Sequence, residues 1–263
     1  MKPPRLLIIA GSDSGGGAGI QADIKTASAF KVYAMTAIAA VTVQDTTGVH
    51  GVHVIPTDIV RDQIVHCLDD IGADAIKIGM LATPHVITAV ADVIAEKAKG
   101  IPLVLDPVMV AKGGSALLAR DAVQTLKSRL LPLASLVTPN LPEAEVLTGY
   151  APANIDEAEQ AAQAIFAAGA KAVLFKGGHA AGTIVHDMLI EATGSTYILE
   201  APRQDTVHTH GTGCTLSTAI ACGLAANQEL SVAVARAHAF VQKAIGTAPG
   251  FGHGHGPLNH LNN

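Results

Sequence analysis

The sequence predicts an α/β protein with a mainly parallel central sheet, helices on both faces of that sheet and antiparallel strands at its edge. Three observations indicate this class. Short apolar runs alternate with stretches of helical periodicity, each run has the length of a buried strand, and two segments interrupt the alternation. The chain is expected to form one domain, residues 1–263, because nothing in it resembles an interdomain linker.

The predicted strands are short apolar runs of the kind that parallel sheets bury on both faces. They lie at Leu6–Ala10, Ala37–Val43, Ala75–Ile78, Leu103–Leu105, Leu136–Val137 and Ala172–Phe175. Between them, apolar residues recur every three or four positions, which is typical of helices that cover a sheet. These stretches are Thr57–Leu68, Pro84–Ala98, Leu117–Leu131, Ile155–Ala168 and Leu230–Ile245. Strands that alternate with helices imply a parallel sheet covered on both faces.

Two segments break the alternation. One is Val49–Ile55, and the other is Thr183–Glu200, where Gly194 and Ser195 separate two strand-like runs. A glycine turn between two such runs indicates a hairpin. The second segment is therefore expected to add antiparallel strands at one edge of the sheet.

Composition excludes several classes of function. The formal net charge is −5, from 17 basic and 22 acidic residues, and the basic residues are scattered, which argues against a nucleic-acid partner. No stretch of about 18 apolar residues occurs, and Met1–Arg5 leads straight into the first strand, so neither a membrane span nor a signal peptide is expected. Cys67, Cys214 and Cys222 do not have the spacing of a disulfide framework or a Cys-x-x-Cys metal site, which fits the cytoplasm.

The most informative motif is Gly211-Thr212-Gly213-Cys214, which runs directly into an apolar-periodic helix. The glycines allow a tight turn, and the free N–H groups at the start of the helix can converge on one anion, assisted by the helix dipole. A phosphate group is the expected ligand. Cys214 is either a proton acceptor for a substrate hydroxyl, because the dipole favours a thiolate, or a small apolar residue that packs the helix start.

A second glycine cluster spans residues 11–23, between the first strand and a helix. It is not a Walker A loop, because no lysine lies between Gly11 and Ile24. Gly17–Ala22 fits a loose dinucleotide fingerprint, but several residues separate it from the strand end. We favour glycines that let the backbone close around a compact substrate at the carboxyl end of the sheet. Asp13 and Asp23 then either bind substrate polar groups or cap a turn and a helix.

Polar side chains follow three later strands. Asp106 precedes a proline at a strand end, Asn140 and Glu143 are three residues apart at a helix start, and Lys176 ends a buried strand. Asn140 and Glu143 either reach one hydrated Mg²⁺ or form a helix capping box, and Lys176 either meets a nucleotide phosphate or extends to solvent. A carboxylate, an Asn and Glu pair, a lysine and an anion hole are together the parts of a phosphoryl-transfer site.

The segment Gly250–Pro257 alternates glycine with histidine. Together with His260, its histidines His253 and His255 either bind a metal, lie in a flexible tail or belong to a loop that closes over a site.

These residues resemble the ribokinase superfamily, and the cysteine after Gly-Thr-Gly resembles the hydroxymethylpyrimidine and phosphomethylpyrimidine kinases of thiamine biosynthesis. The resemblance covers nearly the whole chain and rests on segments 11–26, 40–46, 77–81, 106–110, 138–144, 176–179, 211–214 and 254–260. It implies a ribokinase-like fold and phosphorylation of 4-amino-5-hydroxymethyl-2-methylpyrimidine by ATP, followed by phosphorylation of the monophosphate to the diphosphate.

The resemblance also implies a role for each site residue. The implied substrate-binding residues are Gln44, Gly11, Ala18, Asp23, Thr42, Met80 and Val108. The implied catalytic residues are Cys214 as base, Gly211, Thr212 and Gly213 as the anion hole, and Lys176 as a phosphate contact. Lys176, Asn140, Glu143 and Thr212 are implied to hold the nucleotide, and Asp106 and Glu143 the metal. The expected cofactors are ATP and Mg²⁺, with K⁺ as a possible addition, and the expected assembly is a homodimer acting on a small molecule.

Two rival functions remain open on the sequence. A pyridoxal kinase of the same superfamily would accept a related hydroxymethyl ring, although the wall Val41–Gln44 suits an aminopyrimidine edge better. A sensor that binds the pyrimidine without turnover is the other, and it would be expected to carry an additional regulatory domain.

Overall fold

The computed structural model describes residues 2–109, 120–180 and 182–261. Within these ranges nine strands form one sheet. The strands are β1 (Arg5–Asp13), β2 (Tyr33–Gln44), β3 (Val49–Val54), β4 (Ala75–Ile78), β5 (Leu103–Leu105), β6 (Leu136–Val137), β7 (Ala172–Phe175), β8 (Ile184–Glu191) and β9 (Thr196–Pro202). Their order across the sheet is β3-β2-β1-β4-β5-β6-β7-β8-β9.

The described helices connect and cover these strands. They are α1 (Gly19–Ala29), α2 (Thr57–His66), α3 (Pro84–Lys97), α4 (Arg120–Arg129), α5 (Leu141–Thr148), α6 (Ile155–Ala167), α7 (Thr212–Ala225) and α8 (Leu230–Gly246). A π-helical turn, Cys67–Ile71, continues α2, and 3₁₀ turns occupy Leu131–Leu133 and Gly177–His179. In the described part of the chain, no helix combines the length and apolarity needed to cross a membrane.

Strand directions confirm the predicted architecture. Strands β2, β1, β4, β5, β6 and β7 pair in parallel, whereas β3 pairs antiparallel with β2, and β8 and β9 continue the sheet antiparallel beyond β7. The predicted hairpin at Gly194 is the β8–β9 turn, where this glycine adopts a left-handed φ of 99°. The parallel strands therefore place their carboxyl ends at one edge of the sheet.

The core forms two layers because successive side chains of a strand point to opposite faces. In β1, Leu7 and Ile9 pack with α2, α3, α4, α5 and α6 on one face, whereas Leu6 and Ile8 pack with α1, α7 and α8 on the other. All four side chains are fully buried. Each such side chain contributes about 1.5–3 kcal/mol through removal of apolar surface from water.

Several element boundaries differ from the sequence prediction, and β2, predicted to begin at Ala37, begins at Tyr33. Strand β1 continues past Ala10 through Asp13, because Ser12 and Asp13 resume pairing with β2 after a register shift. The first residues of the second glycine cluster are thus part of a strand. The described part of α4 starts at Arg120, so the predicted start of this helix at Leu117 lies outside the described residues, as does Val110.

The Gly/His-rich segment folds back over the turn between β2 and β3. The backbone N–H groups of His253 and Gly254 donate to Thr46 Oγ1, and His255 N–H donates to Thr46 O at 2.7 Å. Farther on, His260 is buried, and its Nε2 lies 2.9 Å from Thr215 Oγ1 on α7. This region therefore forms a closing loop attached to the helix that carries the glycine motif.

Acidification is expected to weaken this attachment. Burial, with the nearby charge of Lys25, lowers the pKa of His260 from 6.5 to about 4. The unfolded chain therefore binds a proton that the folded chain does not, so the contribution of His260 is complete above pH 6.5 and falls as the pH drops towards 4. At pH 4.5 the loss amounts to about 2 kcal/mol.

Urea unfolding at pH 7.5 and 4.5 measures this effect. The variant His260→Gln keeps a hydrogen-bonding side chain without a titrating ring, and we expect it to lose about 2 kcal/mol less than the wild type on acidification. Equal losses in the two proteins would show that His260 does not control the acid sensitivity.

Candidate active site

A cavity of about 500 Å³ opens at the carboxyl edge of the parallel strands. Its walls come from the ends of β1, β2, β4 and β5, the start of α5 and the start of α7. The residues predicted from the sequence that line it are Gly11, Asp13, Ala18, Thr42, Gln44, Met80, Asp106, Val108, Asn140, Glu143, Lys176, Gly211, Thr212, Gly213 and Cys214. The fold thus brings together segments that are more than 200 residues apart in the chain.

Gly11 faces the end of Met80 in the cavity wall. A Cβ atom at position 11 would collide with Met80 Cε, so the flexible end of this side chain would have to move. The prediction that the glycine cluster makes room for a compact substrate remains a prediction.

Asp23 is the one predicted substrate-binding residue that does not line the cavity. Its side chain is fully buried in α1 and accepts hydrogen bonds from Lys77 Nζ at 2.9 and 3.0 Å and from Thr218 Oγ1 at 2.6 Å. The prediction that Asp23 lies against the substrate is corrected accordingly. Both carboxylate oxygens of Asp23 accept hydrogen bonds from Lys77, and it is Lys77 that lines the cavity.

A second cavity, of about 730 Å³, adjoins the first. The two share Asn140, Lys176, Thr209, Thr212 and Gly213 as lining residues. The second cavity extends over β8, β9 and α8, where its apolar walls include Val185, Pro202, Val207, Leu216, Val241 and Ile245. Two adjoining cavities with a common boundary at the glycine motif can hold two ligands whose reacting ends meet there.

The start of α7 carries the glycine motif whose backbone amides were predicted to bind an anion. Gly211 caps the helix in the left-handed region, with a φ of 84°, and a Cβ there would collide with Gly17 O, so only glycine fits. The first bond into the helix runs from Thr215 N–H to Gly211 O, and Thr212 N–H turns back to Thr209 O at 3.4 Å. The backbone N–H groups of Gly213 and Cys214 therefore precede the first helical hydrogen bond, and these two groups are available to an anion.

The surroundings of Cys214 favour the thiol over the thiolate. Burial raises its pKa to about 11, although the positive charge of Lys77 opposes the shift and Gly19 N–H donates to the sulfur. The expectation that the helix start favours a thiolate is therefore wrong here, because loss of solvation outweighs the favourable charges. Cys214 nevertheless lies in the wall of the cavity beside the anion hole.

Alkylation by iodoacetamide is expected to report this protonation state. Because the thiolate is the reactive form, labelling of Cys214 should be slow at pH 7.5 and accelerate about tenfold per pH unit up to pH 10. Mass spectrometry of the peptide that carries Cys214 gives the rate, with Cys214→Ala as the control for labelling of Cys222 on the same peptide. Rapid labelling with a plateau below pH 8 would contradict a raised pKa.

Lys176 lies at the boundary between the two cavities. Its Nζ lies 2.8 Å from Asp106 Oδ1 and 3.8 Å from Glu143 Oε2. Nζ also lies next to Gly213, so close that a Cβ atom added there would touch it. Burial alone would lower the pKa of Lys176, but Asp106 and Glu143 outweigh this effect and raise it. The lysine is therefore a fixed positive charge beside the anion hole.

Asn140 and Glu143 form the capping box that was one of their two predicted arrangements. Asn140 Oδ1 accepts from Glu143 N–H, and Glu143 Oε2 accepts from Asn140 N–H, both at 2.8 Å. Burial raises the pKa of Glu143 despite the nearby Lys176. The capping box fixes both side chains at the edge of the cavity, where Glu143 still lines it.

The carboxylates of Asp106 and Glu143 fit a metal ion that is bound together with a phosphate ligand. They do not form a site in which protein side chains alone hold the metal. Among the described residues, no group of three or more His, Cys, Asp or Glu side chains could hold a metal ion. Asp106 and Glu143 both line the cavity and share Lys176 as a partner. Mg²⁺ commonly uses one or two carboxylates together with phosphate oxygens and water, and this donor set matches that chemistry.

Sequence reasoning missed Lys77 and His210 as site residues. Lys77 is a charged residue inside the apolar run Ala75–Ile78, and that position alone signals a buried partner. His210 precedes the glycine motif and is buried, with its Nε2 2.9 Å from Asp13 Oδ2 and 3.2 Å from Gln44 Nε2. Its signal was weaker, because Asp13 lies 197 residues away in the sequence.

The chain is similar to known kinases over nearly its whole length. A family model described as phosphomethylpyrimidine kinase matches residues 13–259. The hydroxymethylpyrimidine/phosphomethylpyrimidine kinase of Haemophilus influenzae is 47% identical over 97% of this chain and 96% of its own length.

Two solved structures have the same fold. An ADP complex of Bacillus subtilis pyridoxal kinase has a TM-score of 0.90 and 38% identity, and the match covers 98% of both chains. The phosphomethylpyrimidine kinase of Clostridium difficile has a TM-score of 0.81 and 39% identity, over 93% of this chain and all of the other.

Proposed function

Because this chain belongs to the phosphomethylpyrimidine kinase family, we propose that it transfers a phosphoryl group from ATP to 4-amino-5-hydroxymethyl-2-methylpyrimidine and then to the resulting monophosphate, in thiamine biosynthesis. The observation that carries this proposal is the shared boundary of the two cavities. Lys176 and the amides of Gly213 and Cys214 lie where the end of a nucleotide in one cavity would meet a hydroxymethyl group in the other.

We propose that the smaller cavity holds the pyrimidine. Gly11 and Met80 provide an apolar wall, and Gln44 provides a side-chain amide with both a donor and an acceptor for the edge of a heterocycle. The larger cavity then holds ATP, with its base among the apolar side chains of β8, β9 and α8. This arrangement directs the phosphates towards α7.

The chain's own groups stabilise the charge that develops during transfer. The Gly213 and Cys214 N–H groups and the Lys176 ammonium face the same boundary, so they can bind the oxygens of the transferred group. Because the reaction needs little covalent participation by the protein, positioning and charge stabilisation supply most of the rate. Mg²⁺ held with the phosphates by Asp106 and Glu143 would neutralise part of their charge.

Cys214 is proposed to position the hydroxyl and to accept its proton late in the transfer. A thiol with a raised pKa is a poor base for the ground-state alcohol. As the hydroxyl oxygen bonds to phosphorus, its proton becomes acidic enough to leave. We therefore propose that loss of the Cys214 side chain costs only part of the 10²–10⁴-fold that acid–base assistance typically supplies.

Pyridoxal phosphorylation is a second candidate function. It is favoured by the TM-score of 0.90 with a pyridoxal kinase, which exceeds the 0.81 with a phosphomethylpyrimidine kinase. Global similarity does not choose between substrates that differ at a few ring atoms, however. The chain is 47% identical to the Haemophilus influenzae kinase and 38% identical to the pyridoxal kinase, which favours the pyrimidine as the substrate.

A coupled assay of ADP release tests the proposal. Purified protein with ATP and Mg²⁺ is offered the hydroxymethylpyrimidine, its monophosphate, pyridoxal and ribose separately. We expect turnover of both pyrimidines and much slower turnover of pyridoxal. A preference for pyridoxal would favour the second candidate, and tight pyrimidine binding without ADP release would indicate a sensor. Replacing K⁺ by Na⁺ in the same assay tests the role of a monovalent cation.

We also propose a cytoplasmic homodimer of single-domain chains that does not bind nucleic acid. The exposed apolar side chains of Val41, Val43 and Val52 on the β2–β3 hairpin support a second copy at this edge. The net charge of −5 supports the absence of a nucleic-acid partner. Light scattering after gel filtration measures the mass, and a monomer at micromolar concentration would contradict the dimer.

A further inference from the structure

The side chain of Gln44 is held between two groups in the wall of the smaller cavity. One amide atom, Oε1, lies 3.1 Å from Thr42 Oγ1, and the other, Nε2, lies 3.2 Å from His210 Nε2. An amide has a second orientation, in which rotation by about 180° exchanges its oxygen and nitrogen. The two orientations present a donor and an acceptor to the cavity in opposite order.

Asp13 determines which ring atom of His210 carries a proton. Its Oδ2 accepts from the backbone N–H groups of Gly17 and Ala18 and lies 2.9 Å from His210 Nε2. Burial alone would raise the pKa of Asp13, but the hydrogen bonds from His210, Ala18 and Gly15 outweigh it and lower the pKa. The carboxylate is therefore ionised and accepts only, so His210 Nε2 must carry a hydrogen.

A protonated His210 Nε2 cannot accept a hydrogen bond from the Gln44 amide. With Gln44 Nε2 facing it, two N–H groups would point at each other. Exchange of the amide atoms removes this conflict, because Gln44 Oε1 then accepts from His210 Nε2–H as a second acceptor beside Asp13.

Thr42 is compatible with the exchanged orientation. Its hydroxyl has one hydrogen, and Ser12 O accepts it at 2.9 Å. The Thr42 oxygen is then free to accept from Gln44 Nε2. Because a hydroxyl can rotate to donate or accept, Thr42 does not itself select an orientation, whereas His210 bound to Asp13 does.

The ring of His210 is held firmly enough to act in this way. It is buried, and a Cβ on Gly17 would collide with its Cδ2 atom. Its backbone N–H donates to Gly256 O in the closing loop. Asp13 is buried as well, at the paired end of β1.

We infer that the Asp13–His210 pair determines specificity by fixing the Gln44 amide with its oxygen towards His210 and its nitrogen towards Thr42. This inference rests on the proposed function, in which Gln44 meets the substrate ring. A 4-aminopyrimidine edge has an amine that donates and a ring nitrogen that accepts. The amine neighbours the carbon that carries the hydroxymethyl group, so it lies on the side of His210, which directly precedes the glycine motif at the boundary, and there it meets Gln44 Oε1. A 4-oxopyrimidine edge has the opposite order and would place its oxygen against Gln44 Oε1.

The ring cannot avoid this conflict by turning over. Its hydroxymethyl group must point to the boundary with the nucleotide cavity, which fixes the direction of the edge that meets Gln44. The fixed amide therefore favours the amino ring over the oxo ring, by about tenfold or more, as mismatched buried hydrogen-bonding groups do.

The experiment compares two probes, 4-amino-5-hydroxymethyl-2-methylpyrimidine and its 4-oxo analogue. Calorimetry without nucleotide gives the ratio of their dissociation constants, and ADP release gives the ratio of their KM values. In His210→Leu the amide is free to rotate, so the oxo-to-amino ratio should fall from about ten or more to about three or less. His210→Gln should lower the ratio as well, because its own amide can donate or accept. This variant replaces His210→Leu in the experiment if the leucine variant does not fold.

Two further variants test the assignment. His208→Leu changes the same loop two residues earlier but lines neither cavity, and it should keep the wild-type ratio. Thr42→Val should weaken both probes while it keeps the ratio, because His210 still selects the orientation. Collapse of the ratio in Thr42→Val, with no change in the His210 variants, would transfer the role to Thr42 and overturn the inference.

The failure of this inference is distinguishable from failure of the proposed function. If the wild type phosphorylates the aminopyrimidine and His210→Leu weakens both probes equally, His210 is merely structural and the inference alone falls. If the wild type neither binds nor phosphorylates the aminopyrimidine, both fall.

Discussion

Replacement of Lys77 by methionine is expected to lower the free energy of unfolding by about 3–5 kcal/mol. Lys77 and Asp23 are both fully buried, with Nζ 2.9 Å from the nearer carboxylate oxygen. Burial alone would lower the pKa of Lys77, but Asp23 outweighs it and raises the pKa. Without the lysine, Asp23 would keep only the hydrogen bond from Thr218. Burial, which raises the pKa of Asp23, would then favour a protonated carboxyl group that has lost its partner, at a cost in stability.

Urea unfolding measures the loss, and the chain supplies a matched control. Lys97 makes the same type of pair with Asp69, at 2.8 Å, but at the surface. Lys97→Met should cost less than about 1 kcal/mol, because water screens an exposed pair. The double variant Asp23→Leu, Lys77→Met should recover much of the loss, since it leaves no unpaired charge. Equal effects of Lys77→Met and Lys97→Met would contradict the assignment.

The pair also connects the fold to the site. Asp23 lies on α1, Lys77 on β4 and Thr218 on α7, so one buried cluster joins the three elements that surround the start of α7. Lys77 also faces the cavity and acts electrostatically on Cys214. A variant that loses the pair is therefore expected to lose activity together with stability.

Local patterns in the sequence predicted most of the fold. The apolar runs that begin at Leu6 and Ala172 are strands of the sheet, and the glycine motif at Gly211 does start a helix. Such features depend on neighbouring residues, through periodicity and glycine geometry. Strand β1 was predicted to end too early because its last pairs depend on β2, more than 20 residues away.

The interactions within the site depended on contacts that the sequence does not reveal. Asp23 looked like a substrate ligand because its partner Lys77 is 54 residues away, and it became a structural residue once folded. Cys214 looked like a thiolate because the helix dipole was visible in the sequence, whereas the burial that raises its pKa was not. Both errors have the same origin, since burial is a property of the packed chain.

Replacement of Lys176 by methionine is expected to lower kcat by about 10²–10³-fold, with a smaller effect on the KM for the pyrimidine. The ammonium group lies at the boundary of the two cavities, beside Gly213 and 2.8 Å from Asp106 Oδ1. Its charge is therefore placed to act on the transferred phosphoryl group more than on the ring. Methionine keeps the length and apolar body of the side chain and removes the charge.

The lost charge must be separated from lost structure, because Asp106 is buried and would lose its cation. Lys171→Met, at an exposed position just before the same strand, should keep kcat within about twofold, because surface changes are usually small. Lys176→Arg retains the charge and should restore part of the rate. Thermal unfolding of each variant, measured with and without ADP, separates folding from binding. A folded Lys176→Met protein with kcat within about fivefold of the wild type would show that the anion-hole amides suffice without the lysine, and would exclude Lys176 as a catalytic residue.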